Sequence, residues 1–399
     1  MPQPVLVAGA RTPVGKFLGS LSSLGAAALG GIAVRAALER SGVSAEQVSA
    51  VLLGNVVQAG VGPNPARLAA AAGGVPMRVP ATTVNKLCLS GLAAIAQAAM
   101  QVATGYSEVV VAGGMESMSN APHLLPAARG SLRYGGGAVL DALESDALVC
   151  GFDGVPMGEA TERYQAAYEI SREDQDEFAA ESHARAAAAI KAGRLAEEIV
   201  PVATARGRKG DMTVEQDEGV RPGTTTERLA ALPAAFSANG TITAGSSSPL
   251  SDGACAVVVM GKERAAELGL PWLAELGCYG TVAGPDPSLL LQPAAAIRDA
   301  LRRDGSLGVG DLDLVEINEA FAGVPLASMR DLGVAADRVN VNGGAIALGH
   351  PVGMSGARLV LSLALELRRR GGGTGAAALC GGGGQGDALI IRVPAGNSV

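Results

Sequence analysis

Five cysteines and three histidines occur among the 399 residues, and a few of them stand where they could react. Cys88 lies in "VNKLCLSGLAAIAQAAM" (84–100), just ahead of an Ala-rich run that reads as a helix. A cysteine before a helix feels the partial positive charge of unpaired backbone N–H groups, which favours thiolate. Gly91 permits close backbone approach and Ser90 can cap. By itself the stretch fits a small packing thiol at least as well as a nucleophile. His350, in "NVNGGAIALGHPVGMSGARLV" (340–360), is flanked by Gly349, Pro351 and Gly353, with no amphipathic pattern to explain it as core. An imidazole there could activate a thiol. His183, in "ESHARAA", reads as part of a solvated helix face, and His123 as a loop residue.

Cys380 ends the run "GAAALC" and enters "GGGGQG". A G-x-G string suggests a dinucleotide fingerprint, but here the strand-like "DALIIRV" (387–393) follows where that motif needs a helix. The glycines suit either a tight β-turn or an oxyanion hole built of free N–H groups. Asn318 and Glu319, in "EINEAF" (316–321), fall at the carboxyl end of a strand, where α/β active sites gather. An Asn there could orient a water or donate to an oxygen.

The elements that must hold these groups are legible in the hydropathy. Apolar runs at 4–10, 50–57, 108–114, 255–260, 272–282, 312–318 and 387–393, with the run ending at Cys380, read as strands. Between them lie helical patterns near 25–40, 64–73, 88–104, 293–303, 319–332 and 355–370. Hydrophobic content is 48% with only 3% aromatics, so the core must be aliphatic, as in α/β proteins whose strands are buried on both faces. A net charge of −7 argues against nucleic-acid or anionic-membrane partners. No CxxC pair suggests a zinc site or disulfide framework, no run is long enough to span a bilayer, and no leader is evident. A cytoplasmic setting is expected.

The chain also repeats itself. Asn55 opens "NVVQAG" and Asn318 opens "NEAFAG"; Val84-Asn85 precedes Ser90-Gly91, and Val341-Asn342 precedes Ser355-Gly356. The first interval, Asn55 to Ser90, is 35 residues and the second, Asn318 to Ser355, is 37, which points to an ancestral duplication. Residues 120–249 differ, with charge clusters "REDQDEF" and "RGRKGDMTVEQDE" and an amphipathic helix near 171–192. Three units follow: 1–119 plus 250–271, an inserted 120–249, and 272–399.

Taken together, "NKLCLSG", "INEAFA", "GGAIALGHPVGMSGAR" and "LCGGGGQG" resemble the thiolases, as do "ARTPVGKF", "GGMESMSNAP" and "SDGA". The resemblance spans residues 5 to about 393. It implies an α/β fold of duplicated βαβ halves in a layered α-β-α-β-α core with an inserted loop domain. It implies Claisen condensation of acetyl-CoA with acyl-CoA, or thiolysis of 3-ketoacyl-CoA, in fatty acid metabolism. Cys88 would carry the acyl group, His350 would activate it, and Cys380 would move the α-proton. Asn318 would position a water that forms one oxyanion hole with His350, and the N–H groups of Cys88 and Gly382 would form the other. In the loop domain Arg221 would lie near the adenine of CoA and Ser248 near its pantetheine arm. No metal or redox cofactor is implied, only coenzyme A thioesters as substrates, and a homodimer or homotetramer is expected.

Some positions depart from the family's pattern. "AGSSSPLSDGA" (244–254) stands where Asn-Ala-Ser-Gly is common, and Val155-Pro156-Met157-Gly158 looks more like the degradative 3-ketoacyl-CoA thiolases than the short-chain His-Met-Gly. Leu89 is larger than the usual residue after the nucleophile and is expected to narrow the pocket. The segment 123–140 lies where some members carry a tetramer-forming loop. A ketoacyl synthase is the nearest rival, but that class pairs its Cys with two His. A catalytically silent binding protein on the same fold would be expected to lose the reactive residues, all of which are present.

Overall fold

A computed structural model describes residues 1–396 apart from 131, 133, 135 and 206–210. Arg206, Arg208 and Lys209 of the second charge cluster, and three positions of the 123–140 segment, lie outside the described residues. The chain opens with β1 (Pro4–Arg11), β2 (Gly15–Lys16), α1 (Ala26–Ser41), β3 (Ala50–Gly54), α2 (Pro65–Ala72), β4 (Ala81–Val84), α3 (Ser90–Ala103) and β5 (Val109–Ser117). Two short strand pairs follow, β6 (His123–Leu124) with β7 (Leu140–Asp141) and β8 (Val202–Ala205) with β9 (Asp211–Val214). Among them lie α4 (Met157–Gln165) and α5 (Arg172–Lys191), and after them α6 (Thr226–Ala230). β10 (Ser251–Gly261) then pairs with β1 and β5, and α7 (Lys262–Glu267) follows. The last stretch comprises β11 (Ala274–Ala283), α8 (Gln292–Asp304), β12 (Leu314–Ile317), α9 (Gly323–Leu332), α10 (Ala345–Leu348), α11 (Ser355–Arg369), β13 (Gly373–Gly381) and β14 (Gln385–Val393).

The strands run β12-β13-β14-β11-β1-β10-β5-β3-β4, with β2 added to β10. Only two residue pairs, Val5 with Glu275 and Leu6 with Ala274, join the halves through β1 and β11. Within each half the pairing repeats. β3 runs parallel to β5, which pairs antiparallel with β10 and so to β1; β12 runs parallel to β13, which pairs antiparallel with β14 and so to β11.

Strict alternation along the strands divides the interior into layers, because successive side chains face opposite sides. Leu6, Val110, Ala112, Val257 and Val259 face one core together with Ala377, Leu379, Leu389 and Ile391 of the other half. That shared core is filled by Leu92, Ile95 and Ala98 of α3 and Leu359, Val360 and Leu363 of α11. The opposite faces, Val5, Val111 and Val258 in one half and Ala376, Ala378 and Ile390 in the other, pack on α1 and α2 or on α8 and α9. The order is helix, sheet, helix, sheet, helix. α3 is apolar almost all round because both its flanks are buried.

Several differences from the sequence reading have local causes. The strand expected to reach residue 57 stops at Gly54, because Asn55 and the N–H groups of Val56 and Val57 turn to bind the Glu116 carboxylate. The helix expected from 319 begins at Gly323, because the backbone of residues 320–322 is hydrogen-bonded instead to Ser246–Ser248. Strand β4 was not read from the sequence; its "ATTV" is short and only half-buried.

His183, expected on a solvated face, is buried. It shares with Ala179, Ser182 and Ala186 the face of α5 that packs toward α10, and its Nδ1 accepts from Arg221 N at 3.2 Å. Of the charged residues of that helix only Asp176 is buried with this face. A capping box starts α5, with Ser171 Oγ accepting from Asp174 N and the Asp174 carboxylate accepting from Ser171 N. His123, expected in a loop, is exposed and lies in β6, where it pairs with Asp141.

Candidate active site

The two central helices begin at nearly the same place, and glycine makes that possible. A Cβ on Gly91 would stand 2.9 Å from Ala357 N and from Gly353 O; one on Gly356 would stand 2.5 Å from Leu92 N. The duplicated Ser-Gly landmarks therefore mark a helix-to-helix contact at which any side chain collides with backbone. The loops that precede the two helices are folded onto each other by the same contact.

In the first loop, Ser90 Oγ accepts from Lys86 N at 2.8 Å and donates to Leu87 O at 2.6 Å, and Leu87 is held at φ 52°. This staple presents Cys88, 8% exposed, at the helix start. In the second loop Ser355 Oγ donates to Pro351 O at 3.0 Å. Its lone pair then faces His350 Nδ1 at 2.6 Å, so Nδ1 carries the proton and Nε2 the free pair. Nε2 accepts from Asn318 Nδ2 at 3.3 Å, while Asn318 Oδ1 is buried without a partner among the described residues. Asn318 itself is fixed by its N–H to Ala378 O at 3.0 Å.

Cys380 stands at the end of β13, one residue before the strand's end, and Gly382–Gly384 turn directly into β14. The turn is thus a β-hairpin and no helix follows, as the sequence indicated. Burial pushes the Cys380 thiol up, and the neighbouring Cys88 adds to the shift. Burial pushes the Cys88 thiol up to about 12, reinforced by the Glu116 carboxylate; the backbone N–H groups of Cys88 and Gly382 point at its sulfur and oppose the rise. His350 is lowered to about 3, first by burial and then by the Arg358 guanidinium. The site therefore rests as two neutral thiols beside a neutral imidazole. Two N–H donors from different halves of the molecule converge on one sulfur.

A side chain at Gly382 would displace the ends of two others: its Cβ would lie 2.3 Å from Met157 Cε and 2.7 Å from Leu87 Cδ1. Met157, Leu87 and, over Gly383, Phe152 thus cover the glycine turn, with Cys150, Tyr164 and Leu289 lining a small cavity beside it. Leu89, expected to narrow this pocket, does not line it. It is fully buried in the central core, against Gly381, because the turn at Leu87 swings the next odd side chain inward.

Of the residues singled out from the sequence, Cys88, Gly382 and Cys380 are neighbours. Asn318 is bonded to His350 and held by Ala378, two residues before Cys380, and Val352, two residues after His350, packs in the same cluster as Cys88. Ser248 lies beside them, its N and Oγ both donating to Ala320 O at 3.1 Å. Arg221 is at the surface, and no hydrogen bond links it to the five. Sequence reasoning missed Glu116. Its wholly buried carboxylate accepts from Asn55 Nδ2, Val56 N, Val57 N and Gly353 N at 2.8 to 3.1 Å. The register shows why it is there. Gly54 lies opposite Gly114 and Ile317 opposite Ala378, so Glu116 occupies in one half the position of Cys380 in the other. By the same count Gly353 corresponds to Cys88 and Asn55 to Asn318. The available signal was the duplication itself, carried one residue further than its landmarks.

Among the described residues no group of three or more His, Cys, Asp or Glu side chains is arranged to hold a metal ion, and no helix is long and apolar enough to cross a membrane.

Comparison with known proteins agrees with this geometry. Residues 4–263 match the family Thiolase, N-terminal domain, and residues 270–393 match Thiolase, C-terminal domain. A "Probable acetyl-CoA acetyltransferase" of Mycolicibacterium smegmatis is 55% identical over 97% of this chain and 100% of its own. An "Acetyl-CoA acetyltransferase" of Cupriavidus necator is 48% identical over 98% and 99%. The crystal structure of the Bacillus anthracis acetyl-CoA acetyltransferase superposes with a TM-score of 0.95 at 40% identity, covering 99% of each chain. With both family domains matched in order and the fold shared from end to end, the chain belongs to the thiolase family of acyltransferases.

Proposed function

We propose that the chain interconverts two acetyl-CoA with CoA and acetoacetyl-CoA through an acyl-enzyme on Cys88. The observation that carries this reading is the convergence of the Cys88 and Gly382 N–H groups on the Cys88 sulfur, with Cys380 as its neighbour. A thiol pushed up to about 12 does not react as a standing thiolate, so its proton must leave as the sulfur attacks. His350 Nε2, unprotonated and engaged only by the Asn318 amide, takes that proton. The carbonyl oxygen becomes an oxyanion held by the two N–H groups, a contribution of about 10²–10³ per donor. Collapse expels CoA, which recovers the proton from His350.

In the second half-reaction the Cys380 thiol gives its proton to His350 Nε2, and the thiolate so formed removes a proton from the α-carbon of a second acetyl-CoA. The Nε2–H that His350 has gained, with a water placed by the Asn318 amide, stabilises the enolate oxygen. The carbanion attacks the Cys88 thioester, the same N–H pair holds the new oxyanion, and Cys88 leaves as thiolate. His350 returns its proton to the Cys88 thiolate while Cys380 keeps the one taken from the α-carbon, which restores both thiols.

The names of the relatives support the short-chain reaction. Residues 120–249 form the unit that holds CoA, with Ser248 at the pantetheine arm and Arg221 toward the adenine, between a first half at 1–119 plus 250–271 and a second at 272–399. The enzyme works in the cytoplasm as a homo-oligomer, in fatty acid metabolism. Thiolysis of acetoacetyl-CoA and of a longer 3-ketoacyl-CoA, followed at the enol absorbance, tests the reading. Cleavage of acetoacetyl-CoA is expected to dominate. Folded protein inactive on both would refute it.

A further inference from the structure

The two N–H groups that meet at the Cys88 sulfur belong to different halves of the chain, so something must fix the distance between their loops. Apolar contact supplies part of this, through Leu87 against Gly382 and Leu89 against Gly381. Such contacts resist approach but are not directional. One directional link crosses the gap. Lys86, two residues before Cys88, extends its Nζ to Asp387 Oδ1 at 2.6 Å, Thr281 Oγ1 at 2.9 Å and Tyr279 OH at 3.3 Å. The Asp387 carboxylate is wholly buried and Lys86 is 25% exposed.

Both ends of this pair are rigidly coupled to the site. On one side, Lys86 N donates to Ser90 Oγ and Lys86 O accepts from Leu89 N, so the Lys86 backbone is part of the turn that presents Cys88. On the other, Asp387 lies opposite Leu379 in the β13–β14 ladder, next to the pairs Cys380–Gly386 and Gly381–Gln385 that close the glycine turn. Thr281 lies opposite Asp387 on the far side, so β11 and β14 both hold the lysine.

We propose that Lys86 is a positioning residue that, through Asp387, sets the separation of the Cys88 and Gly382 N–H groups and so tunes the oxyanion hole for thioester attack. This rests on the acyl-enzyme reading given above. A purely structural role is the competing account, because a buried carboxylate needs a counterion wherever it stands.

Two reactions of the same sulfur separate the accounts. Acylation by acetyl-CoA passes through a tetrahedral oxyanion and needs the hole. Alkylation by iodoacetamide forms the S–C bond as iodide leaves a saturated carbon, and builds no oxyanion. In Lys86→Met, acylation of Cys88 is expected to slow by about 10- to 100-fold, since misplacement by about 1 Å costs about 10²-fold. Alkylation should stay within about twofold of wild type. Lys86→Met leaves Asp387 unpaired and risks misfolding, so Lys86→Met/Asp387→Asn, which removes both charges, is measured beside it. That double variant should fold yet remain slow in acylation, and Lys86→Arg should recover most of the rate. Wild-type acylation in the double variant, or alkylation falling in step with acylation, would overturn the proposal. A wild-type protein that forms no acyl-enzyme would instead count against the function on which it rests.

Discussion

At the scale of single residues, the two thiols are distinguished by what faces them and not by their acidity. Burial raises both, but only Cys88 has two backbone N–H groups aimed at its sulfur. Cys88→Ser is therefore expected to abolish acyl-enzyme formation from radiolabelled acetyl-CoA. Cys380→Ser should retain labelling and lose condensation by at least about 10²-fold; equal loss of labelling in both would show the roles wrongly divided. His350, lowered to about 3 by burial and by Arg358, stays unprotonated at any pH the protein meets above that value. The acylation half-reaction should accordingly show no imidazole limb near pH 6.5 when its rate is followed from pH 8 down to 5.5. The reactive residues could be found in the sequence because glycines surround them and leave no packing reason for a histidine or a terminal cysteine. Glu116 and Arg358 could not, since a carboxylate and a guanidinium inside apolar runs reveal their neighbours only when strands and helices are paired.

At the scale of elements, apolar runs separated by helical patterns made the βαβ units readable, and the family resemblance implied their layered order. What escaped was every place where side chains capture backbone groups. Glu116 ends β3 early, residues 320–322 delay α9, and His183 is drawn inward by the register of α5. Arg11 shows the same principle. Wholly buried at the end of β1, it binds Asp217 at 2.6 and 2.9 Å and Glu198 at 2.7 Å, tying the first strand to the inserted stretch. Arg11→Met leaves two buried carboxylates unpaired and should destabilise by about 3–5 kcal/mol in urea unfolding. Gly356→Ala should cost about 1–3 kcal/mol and lower acylation as well, because its Cβ would press on Leu92 N at the base of the Cys88 loop.

For the whole molecule, the buried ionisable groups set a pH window. Burial raises Glu116 to about 7 and Glu316 to about 8 from 4.5, so their stabilisation is complete below 4.5 and lost as pH rises through those values. Burial lowers His350 to about 3 and His183 to about 4 from 6.5, so theirs is complete above 6.5 and lost as pH falls. The opposing slopes cancel between about pH 4.5 and 6.5. The thermal midpoint, read by circular dichroism, should be several degrees lower at pH 8.5 than at pH 6; a higher midpoint at pH 8.5 would contradict these environments.

The glycine contact between α3 and α11 has a historical consequence. Each helix offers a bare groove that only a near-copy of itself can fill, with Gly91 against Ala357 N and Gly356 against Leu92 N. A half-length ancestor would have carried one such groove, open to water and matched by nothing in its own chain. It would have survived only by meeting a second molecule of its kind. If the halves arose by duplication, the middle of the chain corresponds to an interface between two copies, turned inward. Once the partners shared one chain they no longer had to be identical, and one half was free to exchange a reactive pair for Gly353 and Glu116.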